Sequence, residues 1–429
     1  MKRVVQDDLQ GNVLCGYGRK YAHGLFLFFR IEDRRAFGRW LDGQAGSITT
    51  AVPWGKPDPP STLNVALSLE GLEALGLRQG LLDSFPEEFR QGMEKRAPRL
   101  GDMGTSEPQR WDERLRGLHG VVTVLALERA VRDARRAELE AEAADAGLEI
   151  PPFAQETDVP ADEREPFGFA DGISQPAIRD PAAGPWPRPG DEPVAPGEFV
   201  LGYEDEGGVV PEAPAGIGFN GSYMVVRKLE QDVEGFRDFL RVEAEGDAAS
   251  MDWLAAKIVG RWRDGTPLVR SPEGPDGDGA ARDALNDFTY GADPEGFRCP
   301  IGAHIRRTNP RDSLDSEWRF TNRHRIIRRG MPYAPDGDGG KPGLIFVCFQ
   351  ASIERQFEFV QSQWMGDGNA FGLGSDPDFI AGPSAGKMTI QGAPPRFVPM
   401  QRFVTTRGGG YFFVPGMSAL RHIAELARA

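Results

Sequence analysis

Four stretches of the chain share one pattern of apolar and polar positions. Each opens with a short run of branched and aromatic residues, passes through one or two polar or acidic residues, and continues with apolar positions at helical spacing. They begin at Leu25 (LFLFFRIEDRRAFGRWL), Val121 (VVTVLALERAVRDARRAEL), Tyr223 (YMVVRKLEQDVEGFRDFL) and Leu344 (LIFVCFQASIERQFEFVQSQW). The polar or acidic residue at each junction suits a helix N-terminus, where unpaired N–H groups and the helix dipole favour an oxygen acceptor. Each stretch therefore predicts one strand-helix unit. Two units precede residue 150 and two follow residue 220, the number expected of an α+β fold made of two ferredoxin-like halves with antiparallel sheets. The predicted halves are residues 1–150 and 219–429.

Between them, residues 151–218 are dense in Pro and Gly (PPFAQETDVP, DPAAGPWPRPGDEPVAPG) and lose all helical period. So long a stretch without regular structure usually carries function or is disordered. It contains the sharpest motif in the chain, FGFADGISQP, which favours function.

Composition narrows the partners. Lys and Arg number 50 against 64 Asp and Glu, a net charge of −14 spread along the chain. Nucleic acid and anionic membrane both call for a clustered basic face, so neither is expected. Basic residues do concentrate once, between Arg306 and Arg329. The three cysteines, Cys15, Cys299 and Cys348, have no paired short spacing, which implies neither a disulfide framework nor a cysteine zinc site and fits a reducing cytosol. The N-terminus turns polar at Gln6, Asp7 and Asp8, and its longest early apolar run, Gly24 to Phe29, is too short to span a bilayer. A soluble cytoplasmic protein is expected.

Five histidines, His23, His119, His304, His324 and His422, limit where an imidazole could hold iron. His304 stands in CPIGAHIRRTNPRD with Arg306, Arg307 and Arg311 close behind. An iron-ligating imidazole beside guanidinium groups that pair two haem propionates is a coherent haem-edge arrangement; the plain alternative is a basic surface strand and turn. Cys299 does not stand in the Cys-x-x-Cys-His spacing of covalent haem attachment, so haem would be held non-covalently. Asp171 lies between Gly168 and Gly172, glycines that let backbone approach a flat ligand, although an Asp-Gly hairpin turn is also common. Arg328 and Arg329, in HRIIRRGMPY, read alone as an exposed charge run before a turn. No phosphate-binding G-x-x-x-x-G-K-[ST] loop is present.

Taken in order, Gly168-Phe169-Ala170-Asp171-Gly172, the His304 segment and RRGMPY resemble the dye-decolorising peroxidase family. The resemblance extends to DLQGNVLCGYGR at the beginning and FVTTRGGGYFFVPGMSAL at the end. It implies one haem b held mainly by the C-terminal half, with His304 as the proximal iron ligand. It further implies that Asp171 is the acid-base group and Arg328 the distal arginine, placed at 328 because that residue stands two before Gly330. Arg306, Arg311 and Gly172 are the expected haem neighbours. The carboxylate behind the proximal histidine is assigned to Glu354, at the start of the helix predicted after Gln350. Hydrogen peroxide and a phenolic or dye-like electron donor are the implied substrates. Because a carboxylate accepts a proton at lower pH than a histidine, activity weighted to acidic pH is expected. Two rivals stand beside this reading: a haem carrier or iron-release protein using the same pocket, and a non-haem interaction module in which the His304 segment is a basic patch.

Overall fold

The computed structural model describes residues 3–17, 20–150, 154–179, 192–276, 282–337, 339–383 and 385–429. All four expected units form. The first half contributes strands β1 (His23–Ile31), β2 (Ser61–Leu67), β3 (Gly120–Ala126) and β4 (Ala154–Asp158). The second contributes β5 (Ser222–Gln231), β6 (Met331–Tyr333), β7 (Gly343–Gln350) and β8 (Val404–Val414). The segment between the halves is not wholly irregular, since β4 lies inside it; residues 151–153 and 180–191 of that segment are outside the described residues.

Within each half the strands run antiparallel, and both halves use one spatial order: β4-β1-β3-β2 in the first and β8-β5-β7-β6 in the second. This is the ferredoxin-like arrangement, repeated. The halves join where Phe413 of β8 pairs with Leu67 of β2. The sheet then curls until its far strands meet, the Thr157 hydroxyl of β4 lying 3.5 Å from Met331 Sδ of β6.

Strand alternation divides the core in two. Phe26 and Phe28 of β1, Met224 and Val226 of β5, and Ile345, Val347 and Phe349 of β7 gather with Phe412 and Val414 on the inner face. On the outer face of the first half, Leu25, Leu27 and Phe29 pack against Phe37 and Leu41 of helix Arg34–Gln44. Helix Met417–Arg428 crosses that helix closely, and Gly38 permits it: a Cβ there would stand 3.0 Å from both the Ala424 carbonyl oxygen and the Ala427 methyl. Each fully buried side chain of this size contributes about 1.5–3 kcal/mol.

The junction residues cap as their chemistry suggests at three of the four units. Asp33 accepts from the N–H groups of Arg35 and Ala36, Asp232 from Gly235, and Ser352 from Arg355. Glu128 makes no side-chain cap. The fourth helix departs from the pattern by winding as π-helix over Ile353–Glu358 and Val360–Met365, a geometry frequent at functional sites. Among the described residues no helix is long and apolar enough to cross a membrane.

Candidate functional site

A cavity of about 330 Å³ lies against the outer face of the second half. Its floor follows from register. Arg227 and Leu229 of β5 stand opposite Phe346 and Leu344 of β7, and Thr406 of β8 stands opposite Leu229, so alternate residues of three strands face it together. Further wall comes from residues between Glu165 and Pro176, the helix His304–Thr308, the π-helical segment and Ile380–Gly382.

His304 begins its helix and lines the cavity. Its Nδ1 lies 2.9 and 3.1 Å from the two oxygens of Asp378. Asp378 is fully buried and also accepts from the N–H groups of Ile380 (3.0 Å) and Ala381 (2.8 Å). Burial raises its carboxyl, but the charge and hydrogen bond of His304, the Ala381 N–H and Arg307 outweigh that and bring it below the ordinary range. A carboxylate fixing Nδ1–H orients the ring and leaves Nε2 as the nitrogen that can ligate a metal.

This corrects the assignment of Glu354. That residue is half-exposed, and its carboxylate lies 2.9 Å from Nη2 of Arg99 on helix Glu87–Leu100 rather than meeting His304. Asp378 was missed because it stands in SDPDFIAGP, a Pro- and Gly-flanked stretch with no period. Its only signal is an acidic residue beside proline turns.

Arg306 is also corrected. Its guanidinium is buried away from the cavity, donating to the Asp293 carboxylate (3.2 Å) and the Cys299 carbonyl (2.8 Å) and stacking 4.4 Å from the centre of the Tyr290 ring. Residues two apart on a helix point to different sides, so His304 and Arg306 cannot share a face; Ile305 and Thr308 line the cavity instead. Arg311 does line it, lying 3.8 Å over the Phe288 ring and donating to the Phe288 carbonyl at 2.7 Å. Gly172, with φ +70°, is exposed and off the wall, its N–H donating to Asp171 Oδ1 at 2.6 Å.

Asp171 and Arg328 both line the cavity. Arg328 pairs with Cys348 of β7 through the short strand Ile327–Arg328, and its Nη2 donates to the Ser174 carbonyl at 3.0 Å, three residues beyond Asp171. The neighbouring Arg329 points the other way. It is half-buried, donating to the Leu14 carbonyl (2.8 Å) and the Arg328 carbonyl (3.0 Å). Strand alternation thus gives the cavity Arg328 and the N-terminal segment Arg329.

The wall suits haem. Phe288, Ile305, Leu344, Phe346, Phe357 and Ile380 give apolar surface for a flat macrocycle. Among the described residues, six guanidinium groups (Arg227, Arg261, Arg311, Arg325, Arg328 and Arg402) face the cavity against three carboxyls (Asp102, Glu165 and Asp171). Burial, with the like charge of Arg311 next, pushes Arg261 down to about 9, the mark of a cationic wall that gains from an anionic ligand group such as a propionate. No cluster of three His, Cys, Asp or Glu side chains among the described residues is placed to hold a metal. A single imidazole with its Nε2 open fits an iron whose other ligands a macrocycle supplies.

Two family models match the chain: a DyP dimeric alpha+beta barrel domain over residues 8–150 and a Dyp-type peroxidase C-terminal domain over residues 208–373. A peroxidase of Mycetinis scorodonius is 33% identical over 97% of this chain and 86% of its own length. The chain belongs to the dye-decolorising peroxidase family.

A multifunctional dye peroxidase of an Amycolatopsis species is 32% identical over 97% of this chain and 95% of its own length. The structure of an ancestral D-type dye-decolorising peroxidase superposes with a TM-score of 0.85 at 31% identity, covering 98% of this chain and 99% of that one. Deferrochelatases of Yersinia are also similar, but at 29% identity over only 31% of this chain and 23% of their own length. The protein is accordingly an enzyme, a haem-dependent peroxidase of the dye-decolorising type.

Proposed function

We propose that the protein reduces hydrogen peroxide with Asp171 as the acid-base group and Arg328 as the electrostatic group, and oxidises phenolic or dye-like donors in one-electron steps. Haem b would be held non-covalently, by His304 backed by Asp378 and by Arg311 at a propionate. When bound, haem supplies the redox centre for the two-electron reduction of peroxide and for the return of single electrons from the donor. The observation that carries this reading is the meeting of His304, Asp171 and Arg328 on one apolar, cationic cavity.

The Asp171 carboxylate takes the proton from one peroxide oxygen and delivers it to the other, which leaves as water. Arg328 stabilises the negative charge that develops on the oxygens as their bond breaks. The hydrogen bond from Arg328 to the Ser174 carbonyl ties the guanidinium to the segment carrying Asp171, so the two groups are held as one unit. A phenolic donor is supported by a related dye-decolorising peroxidase solved as a complex with 2,6-dimethoxyphenol. The three cysteines are free thiols, which supports a reducing compartment.

The test is the absorption spectrum of protein expressed with haem supplied, before and after stoichiometric peroxide, for wild type and for His304→Ala, Asp171→Asn and Arg328→Leu. A Soret band that changes with peroxide in wild type, is missing in His304→Ala and changes slowly in the other two supports the proposal. Haem binding through His304 with no response to peroxide would favour the carrier or iron-release reading, to which the short likeness to deferrochelatases lends support.

A further inference from the structure

Asp171 stands at the foot of a small hairpin that the sequence did not mark. Arg164 bridges Ala170, the Glu165 N–H donates to the Phe169 carbonyl (3.0 Å), and the Asp171 N–H reaches the Glu163 carbonyl (3.4 Å). Gly168, φ +91°, turns the tip; a Cβ there would stand 2.8 Å from Arg263 Nη1. The inside of the hairpin is filled by the Glu165 carboxylate. Its Oε1 accepts from the Phe169 N–H (3.0 Å), and its Oε2 from the Phe167 N–H (3.0 Å) and from Gln231 Nε2 (2.8 Å). Gln231 closes β5, whose Arg227 and Leu229 form the cavity floor. Glu165 therefore fastens the Asp171 hairpin to the cavity floor, and it lines the cavity beside Asp171.

The chemistry of this clamp is specific. All three groups facing Glu165 are donors, and a carboxylate is acceptor-only on both oxygens. A carboxamide of the same shape would turn its own NH₂ toward one of the backbone N–H groups of Phe167 and Phe169, both buried residues. Burial raises the Glu165 carboxyl above its ordinary range against these hydrogen bonds, and the charge of Asp171 adds to the rise, so the two carboxyls sense each other. Shape, charge and attachment all converge on Asp171, three positions beyond the tip.

We infer that Glu165 is a positioning residue of the peroxide reaction: it holds the hairpin in the form that presents the Asp171 carboxyl to the cavity, and it acts only through Asp171. The inference rests on the proposed role of Asp171.

The experiment is a double-mutant cycle on the haem-loaded protein, with Glu165→Gln, Asp171→Asn and both together, reading the stopped-flow rate of the peroxide-dependent spectral change. Amide hydrogen exchange of the haem-free proteins is read in parallel. Glu165→Gln is expected to slow the peroxide reaction on the order of a hundredfold, the scale of a misplaced catalytic group, with the Soret band retained and exchange accelerated in residues 163–171 alone. In the Asp171→Asn background the same change should alter the rate by less than about twofold.

Wild-type rate in Glu165→Gln beside a slowed Asp171→Asn overturns the role of Glu165 while leaving that of Asp171 intact. Effects that multiply in the double variant overturn it too, because they show a general structural role. A wild-type rate in Asp171→Asn overturns both. Should Glu165→Gln fail to fold, Gln231→Leu removes one donor only. A slowing there that disappears in the Asp171→Asn background supports the clamp, and an unchanged rate counts against it.

Discussion

In the first half of the barrel, helix Arg34–Gln44 lies directly on the outer face of its sheet, Phe37 and Leu41 packing on Leu25, Leu27 and Phe29. In the second, the helix at the same place in the order, Val233–Glu243, sends Phe236 and Phe239 to Phe167, Phe379 and Phe403 instead. The equivalent sheet face is left to the cavity. The two halves share strand order but not what is inserted between strands. In the first, residues 45–60 link helix to second strand; in the second, residues 260–330 intervene after helix Ala248–Val259 and bring His304 with them. One topology thus yields a packed core or a ligand chamber according to the length and chemistry of its connections.

The comparison breaks most sharply with paired substitutions. His304→Ala is expected to abolish haem binding, read as loss of the Soret band. Phe37→Ala, in the packed half, should cost about 3–5 kcal/mol of stability, read as a lowered Tm, and leave the haem spectrum of the folded protein unchanged. A Phe37→Ala protein with an altered haem spectrum would show that the halves are not functionally separate.

Arg328→Leu and Asp171→Asn should each slow the peroxide step by about 10²–10³-fold while haem stays bound, measured by stopped flow. Asp378→Asn is expected to weaken haem retention by about 10–100-fold, measured by transfer of haem to an excess of apomyoglobin. Neutralising Glu354, the carboxylate first assigned to this place, should leave retention unchanged.

The smallest effect is one of pH. His324 stacks 3.9 Å from Phe359, and its Nδ1 donates to the Arg355 carbonyl at 2.5 Å. Burial, joined by the charges of Arg355 and Arg323, outweighs that bond and pushes the ring down to about 4. The folded value lies below the unfolded one, so the stabilisation is complete above about pH 6.5 and is lost as pH falls from there toward 4, a change of about 2–3 kcal/mol. Tm measured across that range should fall more steeply for wild type than for His324→Phe; parallel curves would remove His324 from the acid response.

What the sequence disclosed follows the same division. The strand-helix units at Leu25, Val121, Tyr223 and Leu344 were legible because burial on one face imposes period, and β4 was not because AQETD offers only Ala as an apolar residue. His304, Asp171 and Arg328 stood out through their motifs, but the groups that orient them did not. Asp378 lies 74 positions from His304, and Glu165 reads as an ordinary acidic residue until the hairpin closes around it. Arg306 was misplaced because a run of arginines after His304 says nothing of which helix face each occupies.

The closure of the barrel has a further meaning for the chain as a polymer. A sheet of four strands made by either half alone would end in two strands with unsatisfied backbone groups, a template for pairing with other molecules. Here one edge of each half is paired with the other, β2 against β8, while β4 and β6 meet through the side chains of Thr157 and Met331. Joining the halves in one polypeptide supplies each with its cap at a local concentration no separate fragment could reach. Resistance to aggregation is therefore a property of the duplication itself, independent of the chamber that only one half carries.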